Sequence, residues 1–522
     1  MPASQKIITK LRERRQIEAE LRKMVAASSE VEFRQRAEEI ASLGAQVIPT
    51  LIENLDRADA QLLAAMGAVA SYLDPEEIIP AMRHAVIHPL RTDRGRMAAM
   101  TILERFLGQR PDDDLMASLS DPRGMAISSL EEVLDQAESS PASIIQYIEG
   151  LDQQEPYIVL AVAGSLRSMG SSPDPSSRPR RAVEPLRMMA QDVREEIAAE
   201  AVRALGGIRL PEAAHALQTL LPIVWPSVLP PAERLLRKLQ FSGVPVTPLP
   251  AADPGWRALI SPVNGLGQQS VWFIQGSQQA GQLRFLNILL SDRAGAVEAL
   301  GHARVPAHML PRRQAPGYLH DIALPDGSGA MLMLEASFDV GRRLVADALA
   351  HNLRTQIPVA GPLRLLSPWL WGYAGADSLP PRKLPELLSE DESLLQGSAG
   401  LLGHPAFITW TARSEATVQA AGEVLRHPSW DLDIWVKRLT GDLFGEPAMV
   451  QVLSRRLEAM SEWLLLAGDE DRARLALIAS RAVRGVSPQE HPFLQAVVRR
   501  DLEWTVQGLK TNLRLDNDMD YT

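Results

Sequence analysis

The sequence contains no cysteine, which removes disulfides, thiolate metal ligands, iron–sulfur clusters and cysteine nucleophiles together. Nor does it hold an apolar run near the roughly 18 uninterrupted residues of a membrane-spanning helix. Its opening stretch, MPASQKIITKLRERRQIEAELRK, lacks the apolar centre and small-residue cleavage site of a secretory signal, so a cytoplasmic location is expected. Lysine is scarce, at seven of 54 basic residues, a bias that fits a GC-rich bacterial genome. The formal charge of −10 argues against a broad nucleic-acid surface, which needs clustered cations. Aromatics make up only 5% of the chain, and seven of the ten tryptophans lie from Trp369 onward while none precedes Trp225. There is no Gly-Lys-Ser/Thr phosphate loop and no Gly-x-Ser-x-Gly elbow.

What is there is a recurring helical unit. In DVREEIAAEAVRALGG, Asp192 to Gly207, the residues Val193, Ile197, Ala201 and Leu205 lie four apart and make one apolar face. Asp192 is placed to cap this helix, Glu195 suits a capping box, and Gly206-Gly207 should end it. A shorter helix precedes it, over Ala182 to Ala190. Related pairs begin at Ala45 and Glu76, with Ile-Pro dipeptides at Pro49 and Pro80, 31 residues apart. A weaker unit spans Asp112 to about Ala137 and a clearer one Ser143 to Met169. Asp74-Pro75-Glu76-Glu77 reads as a cap, a first-turn proline and a capping-box glutamate. The insert SSPDPSSRPR, Ser171 to Arg180, has loop chemistry.

Over roughly residues 30–240 this pattern resembles the HEAT-repeat family, in the short-period form of phycobilisome-lyase-type proteins. The resemblance implies an α-solenoid, because short amphipathic pairs bury their faces only by stacking on neighbours. Solenoids of this kind present a surface to partners.

The expected fold class is therefore mostly α, with a solenoid over 1–242, a proline-rich linker over 243–255 and two further domains. A small α+β domain is expected over 256–356. Its strands fall at WRALIS, SVWFIQ, LRFLNILL, GYLHDIAL and GAMLMLEA, its turn at PDGSG, and its helices at AGAVEALG (Ala294 to Gly301) and Phe338 to Leu353. A helical domain over 361–511 follows, with helices at Leu384–Gln396, Ser414–Arg426, Leu432–Phe444, Ala448–Leu466, Asp469–Arg484 and Pro492–Leu509. An acidic, disordered tail is expected over 512–522.

The leading functional expectation is a non-catalytic scaffold that binds another protein and needs no cofactor. Arg96, Arg105, Arg167, Arg194 and Arg203, on the second helices of the repeats, are its candidate contacts to an acidic partner. Trp369 and Trp371 are either core or an exposed anchor. The alternative is a metal-dependent hydrolase in the 256–356 domain, drawing on Glu335, Asp339, Asp347 and His351, with Asp321 and Asp326 nearby. Asp339 could equally cap a helix, and Asp347 with His351 forms an i,i+4 pair suited to a solvated face. His84 and His88 have metal spacing, but Ala85 stands where the metalloprotease motif wants glutamate. GLGQQS at Gly265 precedes a strand and reads as a turn, not a dinucleotide loop. The tail DNDMDY lacks the glycine and distal glutamate of a calcium loop.

Overall fold

The structure, a computed structural model, describes residues 17–25, 30–58, 60–88, 91–109, 122–137, 140–171, 178–277, 279, 281–323, 329–387, 389–412, 414–427 and 431–519. Asp326, most of the insert at 171–180, the first half of the unit at 112–137, most of the PDGSG turn and residues 520–522 lie outside them. The chain is mostly helical with one antiparallel sheet of six strands in the middle. It divides into two compact units, Met1–Leu217 with Pro226–Pro245, and Gln218–Trp225 with Val246–Thr522.

The first unit is built of helices α1 (Glu30–Ala41), α2 (Ile48–Asn54), α3 (Ala60–Ser71), α4 (Pro75–Ile87) and α5 (Asp93–Thr101). It continues with α6 (Pro122–Ala137), α7 (Ala142–Asp152), α8 (Pro156–Gly170), α9 (Arg178–Arg181), α10 (Val183–Met189) and α11 (Glu195–Leu205). Helix α12 (Pro211–Leu220) crosses the unit boundary, and α13 (Leu229–Phe241) returns to the first unit. The apolar rows do what their spacing asks. Leu51, Met66, Val69, Met82 and Val86 share one dry core, and Val162, Leu166, Ile197 and Val202 are equally buried where α8 packs on α11. Asp74 caps α4 as its sequence position predicts, accepting from the Glu76 amide at 2.9 Å.

The cap expected at Asp192 does not form. Helix α11 begins at Glu195, and the Asp192 carboxylate turns instead to the amide and guanidinium of Arg194. A buried aspartate gains more from a charged, bidentate partner than from one helix amide. The Arg194 guanidinium also donates to the carbonyls of Gln154 and Leu151, tying its loop to the preceding α7–α8 loop. An equivalent tie occurs earlier, where Arg91 Nη1 and the Thr92 amide both reach Asp56 in the α2–α3 connection, at 2.9 and 3.0 Å.

In the second unit the strands are β1 (Arg257–Ile260), β2 (Gln268–Gln275), β3 (Gln282–Ser291), β4 (Gly295–Pro306), β5 (Leu319–Ala323) and β6 (Ala330–Ala336), in sheet order β4-β3-β2-β1-β6-β5. Helix α14 (Phe338–Thr355) packs on this sheet, opened by Ser337, whose hydroxyl accepts from the Val340 amide. Short helices α15 (Gly361–Leu366) and α16 (Pro368–Trp371) follow. The remainder is α17 (Glu415–Arg426), α18 (Leu432–Phe444), α19 (Pro447–Leu466), α20 (Glu470–Ala482) and α21 (Pro492–Met519).

Three expectations need correction. AGAVEALG is not a helix: from Gly295 it forms the first part of β4, paired antiparallel with β3 apart from an irregularity at Val297. Its Ala, Glu and Leu favour helix, yet eight residues cannot nucleate one alone, and the strand pairing wins. Residues 384–387 are not helical, and a 3₁₀ segment runs Ser389–Gly403 instead. Helix α21 continues to Met519, into the stretch expected to be disordered, since no proline or glycine interrupts it after Gly508.

The β1–β2 connection is held by side chains from far along the chain. Trp463 Nε1 donates to the Ile260 carbonyl at 2.9 Å, and Trp410 Nε1 to that of Val263 at 2.9 Å. Arg456 donates to the carbonyls of Gly265 and Leu266 and forms a two-pronged pair with Asp292, at 2.7 and 3.1 Å. The strands and the C-terminal helices thus belong to one compact unit. GLGQQS is the turn its context suggests, with Asn264 Oδ1 accepting from the amides of Leu266 and Gln268.

Candidate functional site

The five solenoid arginines do not form one exposed row. Arg96 is 3% exposed and belongs to the interior of its helix pair. Arg194 is committed to Asp192 and two carbonyls. Burial works against its charge, but the Asp192 contacts, helped by Asp152 and Glu196, hold its pKa above the usual value. Arg105 is exposed on the π-turn Ile102–Phe106 that follows α5. Only Arg167 on α8 and Arg203 on α11 come together, meeting at Glu200 with contacts to Oε1 and Oε2 respectively. Their side chains stay 54% and 58% exposed.

The tryptophan pair divides in the same way. Trp371 is 0% exposed and is core, so it offers nothing to a partner. Trp369 is half-buried, with the Arg284 guanidinium 4.8 Å from its ring centre.

Three of the carboxylates expected of a hydrolase, Glu335, Asp339 and Asp347, are engaged by arginine. Glu335, 1% exposed on β6, accepts from Arg257 Nη1 at 2.7 Å and lies 2.8 Å from His320 Nε2. Burial draws the Arg257 pKa down, and Glu335 opposes that fall. Asp339 sits in the first turn of α14 and pairs with Arg342 at 2.7 Å; Ser337, not Asp339, caps the helix. Asp347 pairs with Arg343 at 3.1 Å, and Asp321 is exposed on β5. His84 and His88 meet edge to face, ring centres 5.2 Å apart. Among the described residues no three His, Asp or Glu side chains are grouped as a metal would require.

His351 and Asp347 do share a feature that their sequence spacing hinted at. Both line a pocket of ≈ 380 Å³ within the second unit, enclosed by the β1–β2 connection, the end of β3, α14 and α19. Its cationic members are Arg343, Arg354, Arg382, Arg455 and Arg456. Sequence reasoning missed all five. The signal was present on α14, where Arg343, Asp347, His351 and Arg354 follow the 3–4 spacing of one helix face, and on α19 at Arg455, Ala459, Glu462 and Leu466. What could not be read was that the two faces meet.

No protein-family model and no curated protein matches this chain. Fold and site define a mostly helical protein with a central antiparallel sheet and an arginine-lined pocket. No described helix is long and apolar enough to cross a membrane.

Proposed function

We propose that this chain is a cytoplasmic, non-catalytic scaffold whose first unit stacks HEAT-like helix pairs into a solenoid and binds an acidic protein partner. One observation carries the reading. Arg167 and Arg203 project from the second helices of neighbouring pairs onto a single carboxylate, Glu200, 33 residues beyond Arg167. Two guanidiniums against one carboxylate leave a local positive surplus on a chain of charge −10. A surplus that bridges two pairs suits an extended partner. Tyr157, exposed in the first turn of α8, adds the amphipathic kind of residue that dominates interface energetics. The loop ties at Asp56–Arg91 and at Arg194 support stacking of successive pairs.

The test is affinity capture with the intact chain and an Arg167→Glu/Arg203→Glu variant. The expected outcome is a stoichiometric partner whose affinity drops at least about tenfold in the variant. Glu200 is only 9% exposed and loses both partners in that variant. Arg167→Gln/Glu200→Gln/Arg203→Gln, which strands no buried charge, is therefore the control: it should lose the partner with little change in melting temperature. Capture that survives the reversal removes this face from the interface.

A metal-dependent hydrolase in the 256–356 region has less support, since Glu335, Asp339 and Asp347 already answer arginines. Thermal melts with Mg²⁺, Mn²⁺ or Zn²⁺ are expected to show no stabilisation; a saturable upward shift would reopen that reading.

A further inference from the structure

We infer that the pocket between α14, α19 and the β1–β2 connection binds a small phosphate monoester carrying an apolar or aromatic group. Five arginines line the pocket against three lining carboxylates, Asp292, Asp347 and Glu462, with Glu458 beside them on Arg382, so the pocket keeps a net positive charge. The pairing is specific about which are spare. Arg456 is spent on Asp292 and loop carbonyls. Arg343 is spent on Glu462 and Asp347, and Arg382 on Glu462 at 3.2 Å and Glu458 at 3.7 Å. Among the described residues Arg354 and Arg455 have no ion pair or hydrogen bond, and both are exposed at the pocket.

The interior adds unfilled hydrogen-bonding capacity. Arg343 is buried, and among the described residues neither its Nε nor the Nε2 of His351, two turns further along α14, has a hydrogen-bond partner. Phosphate is favoured over a single carboxylate because a monoester is close to dianionic at pH 7 and offers three acceptor oxygens, enough to answer both spare guanidiniums.

Gln269 and Ser291 aside, most of the rest of the wall is apolar. Val263, Leu290, Leu344, Trp463 and Leu466 form surface that water wets poorly, so an apolar group beside the phosphate gains by being buried there. A volume of ≈ 380 Å³ is in the range of small-molecule sites. The frame is rigid where it must be. Gly267 holds φ +80°, and a Cβ there would overlap the Asp292 carboxylate that fixes Arg456.

The test uses 1-naphthyl phosphate as probe, with inorganic phosphate and 1-naphthol as controls, by titration calorimetry on the full chain at two salt concentrations. Saturable one-to-one binding is expected for the ester, weaker binding for phosphate, and none or weaker for naphthol. Arg354→Gln/Arg455→Gln should lower ester affinity about tenfold or more and flatten its salt dependence. Its unfolding midpoint should not move, since neither guanidinium has a partner to lose. Absence of saturable binding to the native chain overturns the assignment, as does naphthol binding as tightly as the ester. Unchanged affinity in the double variant does the same, and phosphate matching the ester overturns the apolar part.

Discussion

Single residues in this protein show how burial decides what a charge is for. Glu335 looked like a metal ligand at the end of a strand, but its Oε2 serves both Arg257 and His320 in a dry setting. Replacing it by glutamine strands the Arg257 charge, so Glu335→Gln should destabilise the fold by about 3–5 kcal/mol in urea unfolding. His491 makes the complementary case. It is fully buried with Nε2 3.0 Å from the Ala479 carbonyl, and burial lowers its pKa from the ordinary 6.5. Above pH 6.5 both folded and unfolded forms are neutral there. As pH falls below 6.5 the unfolded chain takes a proton that the fold refuses, so stability declines until the lower folded value is reached. His215 and His404 shift in the same direction, also led by burial. Urea midpoints at pH 7.5 and 5.0 should therefore fall with acid, and His491→Gln should make that fall shallower; an unchanged slope would exclude His491 as a contributor.

At the scale of elements, the sequence was most readable where periodicity and termini agreed. Helix α18 lies within the bounds its pattern predicts, and α4 starts at the cap and proline that announce it. The strands β1, β2, β3, β5 and β6 were visible as short branched and aromatic runs. β4 was not, because its composition favours helix and only its partner β3 makes it a strand. Its start depends on Gly295, at φ +73°, where a Cβ would overlap Asn352 Oδ1 and approach the Ala348 carbonyl at 2.6 Å. Asn352 in turn accepts from the Ala296 amide at 2.7 Å and donates to the Ala294 carbonyl at 2.9 Å. Gly295→Ala should therefore cost at least about 1–2 kcal/mol from the left-handed backbone alone, with more from displacing Asn352. A chemical unfolding curve superimposable on the native one would show that the strand start tolerates a side chain. The pocket was illegible for a related reason. Each of its helix faces reads as ordinary surface, and its charge surplus exists only once α14 and α19 lie side by side.

For the whole molecule, charge is distributed against the average. A chain of −10 keeps local positive surpluses at Glu200's two arginines and in the pocket of the second unit. Repulsion from the rest of the surface discourages indiscriminate anion binding, so such islands favour selective contacts. The second unit also carries a demand of another kind. The indole of Trp463 reaches back 203 residues to the carbonyl of Ile260. At ribosomal speeds of about 5–20 residues per second, β1 leaves the tunnel roughly 10–40 s before the indole that answers its last carbonyl. During that interval the Ile260 carbonyl waits without its indole donor, so the β1–β2 connection takes its final form only late in synthesis.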